Sequence, residues 1–186
     1  MNILRFFSFW ALSVTLLLAS CAKDGGTVIP DQPDDMDMID DQDDNSDKDL
    51  APEFSIEDVS GGTISSASYE GQNLVIFFFG YNCPPCKSVG PSIESRLNQE
   101  FKSNSKFAII GMDQWDGNKA GVEDFQKTTG VTFPLGIKGS SVASAFKTTY
   151  DRLVVVNTDG EVVYRGNSIA ANNLDTVVDL VKELLN

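Results

Sequence analysis

The stretch LVIFFFGYNCPPCKSVGPSIESRL, residues 74–97, decides the fold. It opens with six apolar residues in a row, the pattern of a strand buried on both faces. Gly80, Tyr81 and Asn82 break the run, and Cys83-Pro84-Pro85-Cys86 follows. Past Cys86 the period changes: Val89, Ile93 and Leu97 recur every four residues, as on the buried face of a helix. Two cysteines, two residues apart, therefore sit where a central strand hands over to a helix. Pro85 suits the first helical position, because an N–H there would have no partner. Cys83 is then at the helix mouth, its sulfur facing unpaired backbone N–H groups and the positive end of the helix dipole, which favours the thiolate. Cys86, one turn on, is expected to be buried and within reach to close a disulfide. The spacing predicts a dithiol redox site in which Cys83 is the more exposed and more acidic sulfur.

Other uses of two such cysteines fit less well. A purely structural bridge between residues i and i+3 closes so short a loop that it removes little entropy from the unfolded chain. A zinc site wants about four ligands, and the chain has no His and one further Cys. Attachment of a c-type haem would need His after Cys86, where Lys87 stands. Neither a cofactor nor a metal is expected.

Outward from this stretch, the 186 residues divide by composition into three parts. Residues 1–21 read as a targeting segment: Arg5 supplies a positive start, 6–17 a short apolar run, and Leu18-Ala19-Ser20-Cys21 an end. That ending resembles the lipobox of bacterial lipoproteins, which implies cleavage before Cys21, acylation of Cys21 and a bilayer as partner. A plain secretory signal with an incidental cysteine is the alternative. In either case the thiol chemistry takes place outside the cytoplasm, where disulfides persist. Residues 22–50 hold 11 Asp against Lys23 and Lys48, a net of −9, with few apolar residues. Such a composition predicts a disordered, self-repelling tether. Its aspartates do not keep the register of a calcium loop. Residues 51–186 are the globular part, with 11 basic and 16 acidic residues. The overall charge of −13 and the lack of a basic patch exclude nucleic acid as a partner.

Within the globular part, 51–56 and 63–64 flank the turn Ser60-Gly61-Gly62 and predict a small hairpin. After the central strand and a helix kinked at Pro91 come a second apolar strand at 106–112 and a helix at 119–129. An extended piece follows at 132–135, then a helical turn or two at 141–147 and a third strand at 153–156. Asp159-Gly160 supplies positive φ angles for a hairpin leading to 161–165. Leu174, Val177, Val178, Val181, Leu184 and Leu185 share one face of a closing helix, 174–185. The order predicts an α/β domain with a mixed sheet and helices on both faces.

Residues 51–186 resemble the TlpA-like branch of the thioredoxin fold, the extracytoplasmic thiol–disulfide oxidoreductases. The resemblance rests on Ala51-Pro52-Glu53-Phe54, on 80–86 with Pro84-Pro85 between the cysteines, on Pro91, on Phe133-Pro134, and on Asp159-Gly160 after an apolar strand. It implies a thioredoxin-like fold with an added N-terminal hairpin and a catalytic Cys83–Cys86 pair. It also implies a site lined by Tyr81, Asn82, Pro84, Pro85, Tyr150, Asp151 and Arg152, a protein disulfide as substrate and a membrane electron donor. Reduction of protein disulfides is the direction implied. The chain departs from the family in three places. Asn82 stands where a Trp is usual, Phe77 and Val89 where some members keep a buried acid, and Asp151 where the family has a cis-proline. Opposed charges thus flank the dithiol. Arg152 is expected to lean toward the Cys83 thiolate and lower its pKa, and Asp151 to turn to water. Two other readings remain. One is a peroxiredoxin-like thiol peroxidase, for which Arg152 fits but Gly80 replaces the Thr or Ser expected three residues before the reactive Cys. The other is a non-catalytic binding module on the same fold.

Overall fold

Every residue of β3 (Asn73–Phe79) is buried, and the rest of the domain is arranged around it. The computed structural model describes residues 48–186, so the signal segment, Cys21 and the tether up to 47 lie outside the described residues. β3 pairs in parallel with β4 (Phe107–Asp113) and antiparallel with β6 (Arg152–Val156). β5 (Leu135–Gly136) and β7 (Val162–Arg165) form the edges of a mixed sheet ordered β5-β4-β3-β6-β7. The expected N-terminal hairpin is present as β1 (Ser55–Glu57) and β2 (Thr63–Ser65), a separate two-stranded sheet.

Alternation along the strands divides the core in two. Val75, Phe77 and Phe79, with Ile109, Leu153 and Val155, face α1 (Pro84–Ile93), α3 (Lys119–Thr129) and α5 (Ala170–Leu184). Phe79 stacks on Phe125 of α3 with ring centroids 4.2 Å apart. Leu74, Ile76 and Phe78, with Ile110, Met112 and Val154, face α4 (Ser140–Ala145), Phe146 and the N-terminal Phe54 and Ile64. Both faces of β3 are thus covered, which is why its sequence is apolar without alternation. The mixed sheet with helices on both faces is as the pattern predicts.

Several local expectations are corrected. α5 starts at Ala170, four residues before the first of its apolar series. In the turn between β6 and β7 only Gly160 has positive φ, and the pairing slips by a residue at Val155/Val156. Contacts with the sheet begin before Ala51: the Asp49 carbonyl accepts from the Val162 N–H at 2.8 Å, and its carboxylate pairs with Arg165. Beyond Pro91, α1 widens into a π turn (Glu94–Asn98) and then a last short turn α2 (Gln99–Phe101). Proline removes an N–H from the ladder, and a π turn is one way to re-pair the carbonyls around it. Glu94, in that turn, is buried and accepts from the Thr132 N–H and hydroxyl, both at 2.8 Å. Burial pulls its pKa upward, but hydrogen bonds from Thr132, Gln99 and Asn98 together hold it below the ordinary value.

Candidate active site

The loop of residues 80–82 carries the chain from β3 to α1. Cys83 closes the loop by donating its N–H to the Gly80 carbonyl at 2.9 Å, and it is the N-cap of α1. The first helical position is Pro84, one residue earlier than expected, with Pro85 second. Two prolines at a helix start remove two of the donors that would otherwise lack partners. The first N–H left is that of Cys86, and it points at the Cys83 sulfur, 3.2 Å away. The helix mouth therefore offers Cys83 Sγ one aimed N–H rather than a cluster. Cys83 and Cys86 are joined in a disulfide, their Cα atoms 5.3 Å apart.

Both sulfurs lie in the buried core cluster with Phe77, Phe79 and Val89. Cys83 is 1% exposed and Cys86 0%: packing closes over the oxidised pair, and the two sulfurs differ little in exposure. The exposed parts of the motif are Asn82, Pro84 and Pro85. Asn82 accepts from the Lys87 ammonium at 3.4 Å, and Lys87 also pairs with Asp124 at 3.3 Å.

Asp113, the last residue of β4, fastens the loop from the side. It is fully buried; Oδ1 accepts from the N–H groups of Tyr81 (2.8 Å) and Trp115 (3.4 Å), and Oδ2 from that of Gly117. Burial raises its pKa in spite of those three bonds, and Asp116 adds to the rise. The Tyr81 ring rests where a Cβ on Gly117 or Gly121 would meet it at 2.5 and 2.7 Å, and the Trp115 ring covers Gly80 just as closely. Trp115 then contacts Tyr150 edge to face, centroids 5.0 Å apart, and Tyr81 at 6.2 Å. Three loops thus build one aromatic rim, with Trp115 41% and Tyr150 39% exposed. Sequence reading places Tyr81 and Tyr150 here and misses Trp115. Its only signal is Gly80, which leaves room for the ring; Gly117 and Gly121 make room for Tyr81 instead.

Asp151 and Arg152 overturn their expectations. Asp151 does not turn to water: it is 2% exposed, at φ 55°, and its Oδ1 accepts from the Ala170 N–H at 3.2 Å. Burial raises its pKa above the ordinary value, against the Ala170 N–H and the charge of Arg152. Arg152 pairs with Phe78, which faces away from the dithiol, and its guanidinium donates to the Asp151 carbonyl at 2.9 Å. It is held there rather than leaning on the sulfur.

A mixed five-stranded sheet with a CPPC disulfide at the start of the helix that follows its central strand defines a thioredoxin-fold protein. Residues 48–165 match the AhpC/TSA family, and the chain belongs to it. Among named relatives, the thiol-disulfide oxidoreductase ResA of Halalkalibacterium halodurans is 30% identical over 115 residues, covering 61% of this chain and 64% of that one. The sporulation thiol-disulfide oxidoreductase A of Bacillus subtilis is 27% identical over 111 residues, covering 59% and 67%. These matches span about two thirds of the relatives' own length. Among solved structures, a thiol:disulfide interchange protein of the thioredoxin family from Chlorobium tepidum superposes with a TM-score of 0.58 at 25% identity, covering 75% of this chain and 97% of that one. No helix among the described residues is long and apolar enough to cross a membrane.

Proposed function

We propose that this chain is a thiol–disulfide oxidoreductase of the cell envelope, anchored outside the cytoplasm through an acylated Cys21, that reduces disulfides in protein substrates. The observation that carries the reading is the Cys86 N–H aimed at Cys83 Sγ. In the reduced protein that donor favours the thiolate of Cys83 over its thiol. Cys83 attacks a substrate disulfide and releases one substrate thiolate; Cys86 then attacks the mixed disulfide and releases the second. The protein ends with the disulfide described above, and a membrane electron donor returns it to the dithiol. The names of the relatives support this class of chemistry. The peroxidase alternative wants a hydroxyl side chain at position 80, and the space beside Gly80 is filled by Trp115.

The test is trapping. A Cys86→Ala variant expressed in the native host is expected to accumulate a disulfide-linked complex through Cys83 in the membrane fraction, absent from the Cys83→Ala, Cys86→Ala double variant. Equal recovery from both variants would remove the proposal.

A further inference from the structure

Away from the dithiol the domain holds a cavity of about 710 Å³ that the exchange reaction does not use. Its apolar wall is made by Phe54, Leu74, Phe146 and Val156, all buried, with the half-buried Tyr69 packed against the same cluster. These side chains belong to the α4 face of the sheet, whereas Cys83 and Cys86 belong to the opposite one. Leu74 is also near the start of β3 and Cys83 beyond its far end. The seven residues of the strand, roughly 20 Å, separate the two places.

The cavity is preformed. The segment Ala51–Phe54 runs along it and is tied at both ends. The Ala51 N–H donates to the Gly160 carbonyl at 2.8 Å. At the other end the Phe54 N–H donates to Ser66 Oγ at 3.2 Å, and the Phe54 carbonyl accepts from the Ser66 N–H at 3.0 Å. Pro52, between the ties, has its φ fixed by its ring. The volume falls within the roughly 300–1,000 Å³ usual for small-molecule sites.

The charged part of the lining has one sign. Glu53, Glu70 and Asp159 are there, all exposed, and no Lys or Arg joins them. On the adjoining strand edge Lys48 pairs with Glu161 and Arg165 with Asp49, so those cations are already matched. Aromatic walls under a rim of carboxylates suit a cation carried on an apolar body. The body is buried against the rings, and the ammonium meets carboxylates and a ring face. Tyr69 stays a neutral phenol, because burial and then the charge of Asp58 hold its pKa above the ordinary 10.0. The Asp-rich tether carries the same sign as the rim, which sets it aside as the occupant.

We propose that this cavity binds a small organic ammonium compound with an aromatic or alkyl body, at a site separate from the dithiol. Three probes with one terminal phenyl body and different charge test it: phenylbutylamine, phenylbutanol and phenylbutyrate. Calorimetric titration into the intact oxidised chain at pH 7 and low salt is expected to show the amine binding about tenfold more tightly than the alcohol. The acid is expected not to bind. Salt at about 0.5 M is expected to narrow the gap between amine and alcohol, because exposed carboxylates are screened. Glu53→Gln combined with Glu70→Gln, two surface changes that leave the fold intact, is expected to bring the amine to within about threefold of the alcohol. Reduction of the Cys83–Cys86 disulfide is expected to leave the amine affinity unchanged. Equal affinities for the three probes, amine binding untouched by the double substitution, or no amine binding at millimolar concentration would each overturn the proposal.

Discussion

Two buried aspartates flank the end of β3, Asp113 paired with Phe79 on one side and Asp151 one residue before the Arg152–Phe78 pair on the other, and they are bonded in opposite ways. Asp113 ends β4 and spends both oxygens on three backbone N–H groups of the loops it joins. Asp151 precedes β6 and spends one oxygen on one N–H. Burial raises the pKa of both. The difference teaches that burial of a carboxyl does not by itself mark chemistry. A fully bonded acid fastens the loops it joins, and a half-bonded one keeps an oxygen free.

The comparison is broken most directly by removing each carboxyl. Asp113→Ala leaves three buried or half-buried N–H groups without an acceptor. It is expected to cost roughly 3 kcal/mol or more in chemical denaturation at pH 7. Asp151→Ala removes one cap and is expected to cost about 1 kcal/mol. Equal losses would mean that Asp151 is as much a fastening as Asp113.

A smaller effect sharpens the Asp113 side. Gly80→Ala puts a Cβ about 2.5 Å from the Trp115 ring, whose own backbone Asp113 holds. The expected cost is roughly 1–3 kcal/mol, the range for overpacking. Trp115 is partly exposed, so Trp115→Ala should give most of that cost back. A double-mutant cycle with no coupling would show that the ring swings aside freely and that the rim is not rigid.

What the sequence discloses and what it hides follow the same division. β3, α3 and the dithiol are legible because hydrophobic period and Cys spacing are local signals. The start of α5 is not, because Ala170, Ala171, Asn172 and Asn173 carry no apolar period and its cap comes from Asp151, 19 residues earlier. Trp115 escapes notice because its role exists only once three loops converge. In the sequence, Asp151 and Arg152 read as a charge pair of which one reaches the sulfur. The alternation of β6 instead sends Arg152 to the far face, and burial keeps Asp151 from water.

The smallest effect concerns pH, and its sign distinguishes these acids from Glu94. A carboxyl whose folded pKa is raised binds its proton more tightly in the folded state than in the unfolded one. Its contribution is fully present below the ordinary value of 3.8 and is lost as pH rises through the folded value. Asp113 and Asp151 therefore make the fold less stable as pH climbs from about 4 toward neutrality. Glu94, held below its ordinary value of 4.5, acts the other way: its contribution is present above that value and lost as pH falls. Above these ordinary values the net slope is set by the aspartates. A carboxyl that binds its proton tenfold more tightly in the folded state than in the unfolded one contributes about 1.4 kcal/mol of stability in all, lost across that rise. Asp151→Asn should flatten that decline while leaving the acid limb, governed by Glu94, in place. Asp113→Asn should flatten it too, but from a lower starting stability, since an amide offers one oxygen where three N–H groups need acceptors. Denaturation midpoints of the oxidised protein from pH 3 to 8 read both limbs at once. A parent curve that rises steadily from pH 5 to 8 would show that neither aspartate is held in its protonated form, and the contrast between the two would then rest on hydrogen bonding alone.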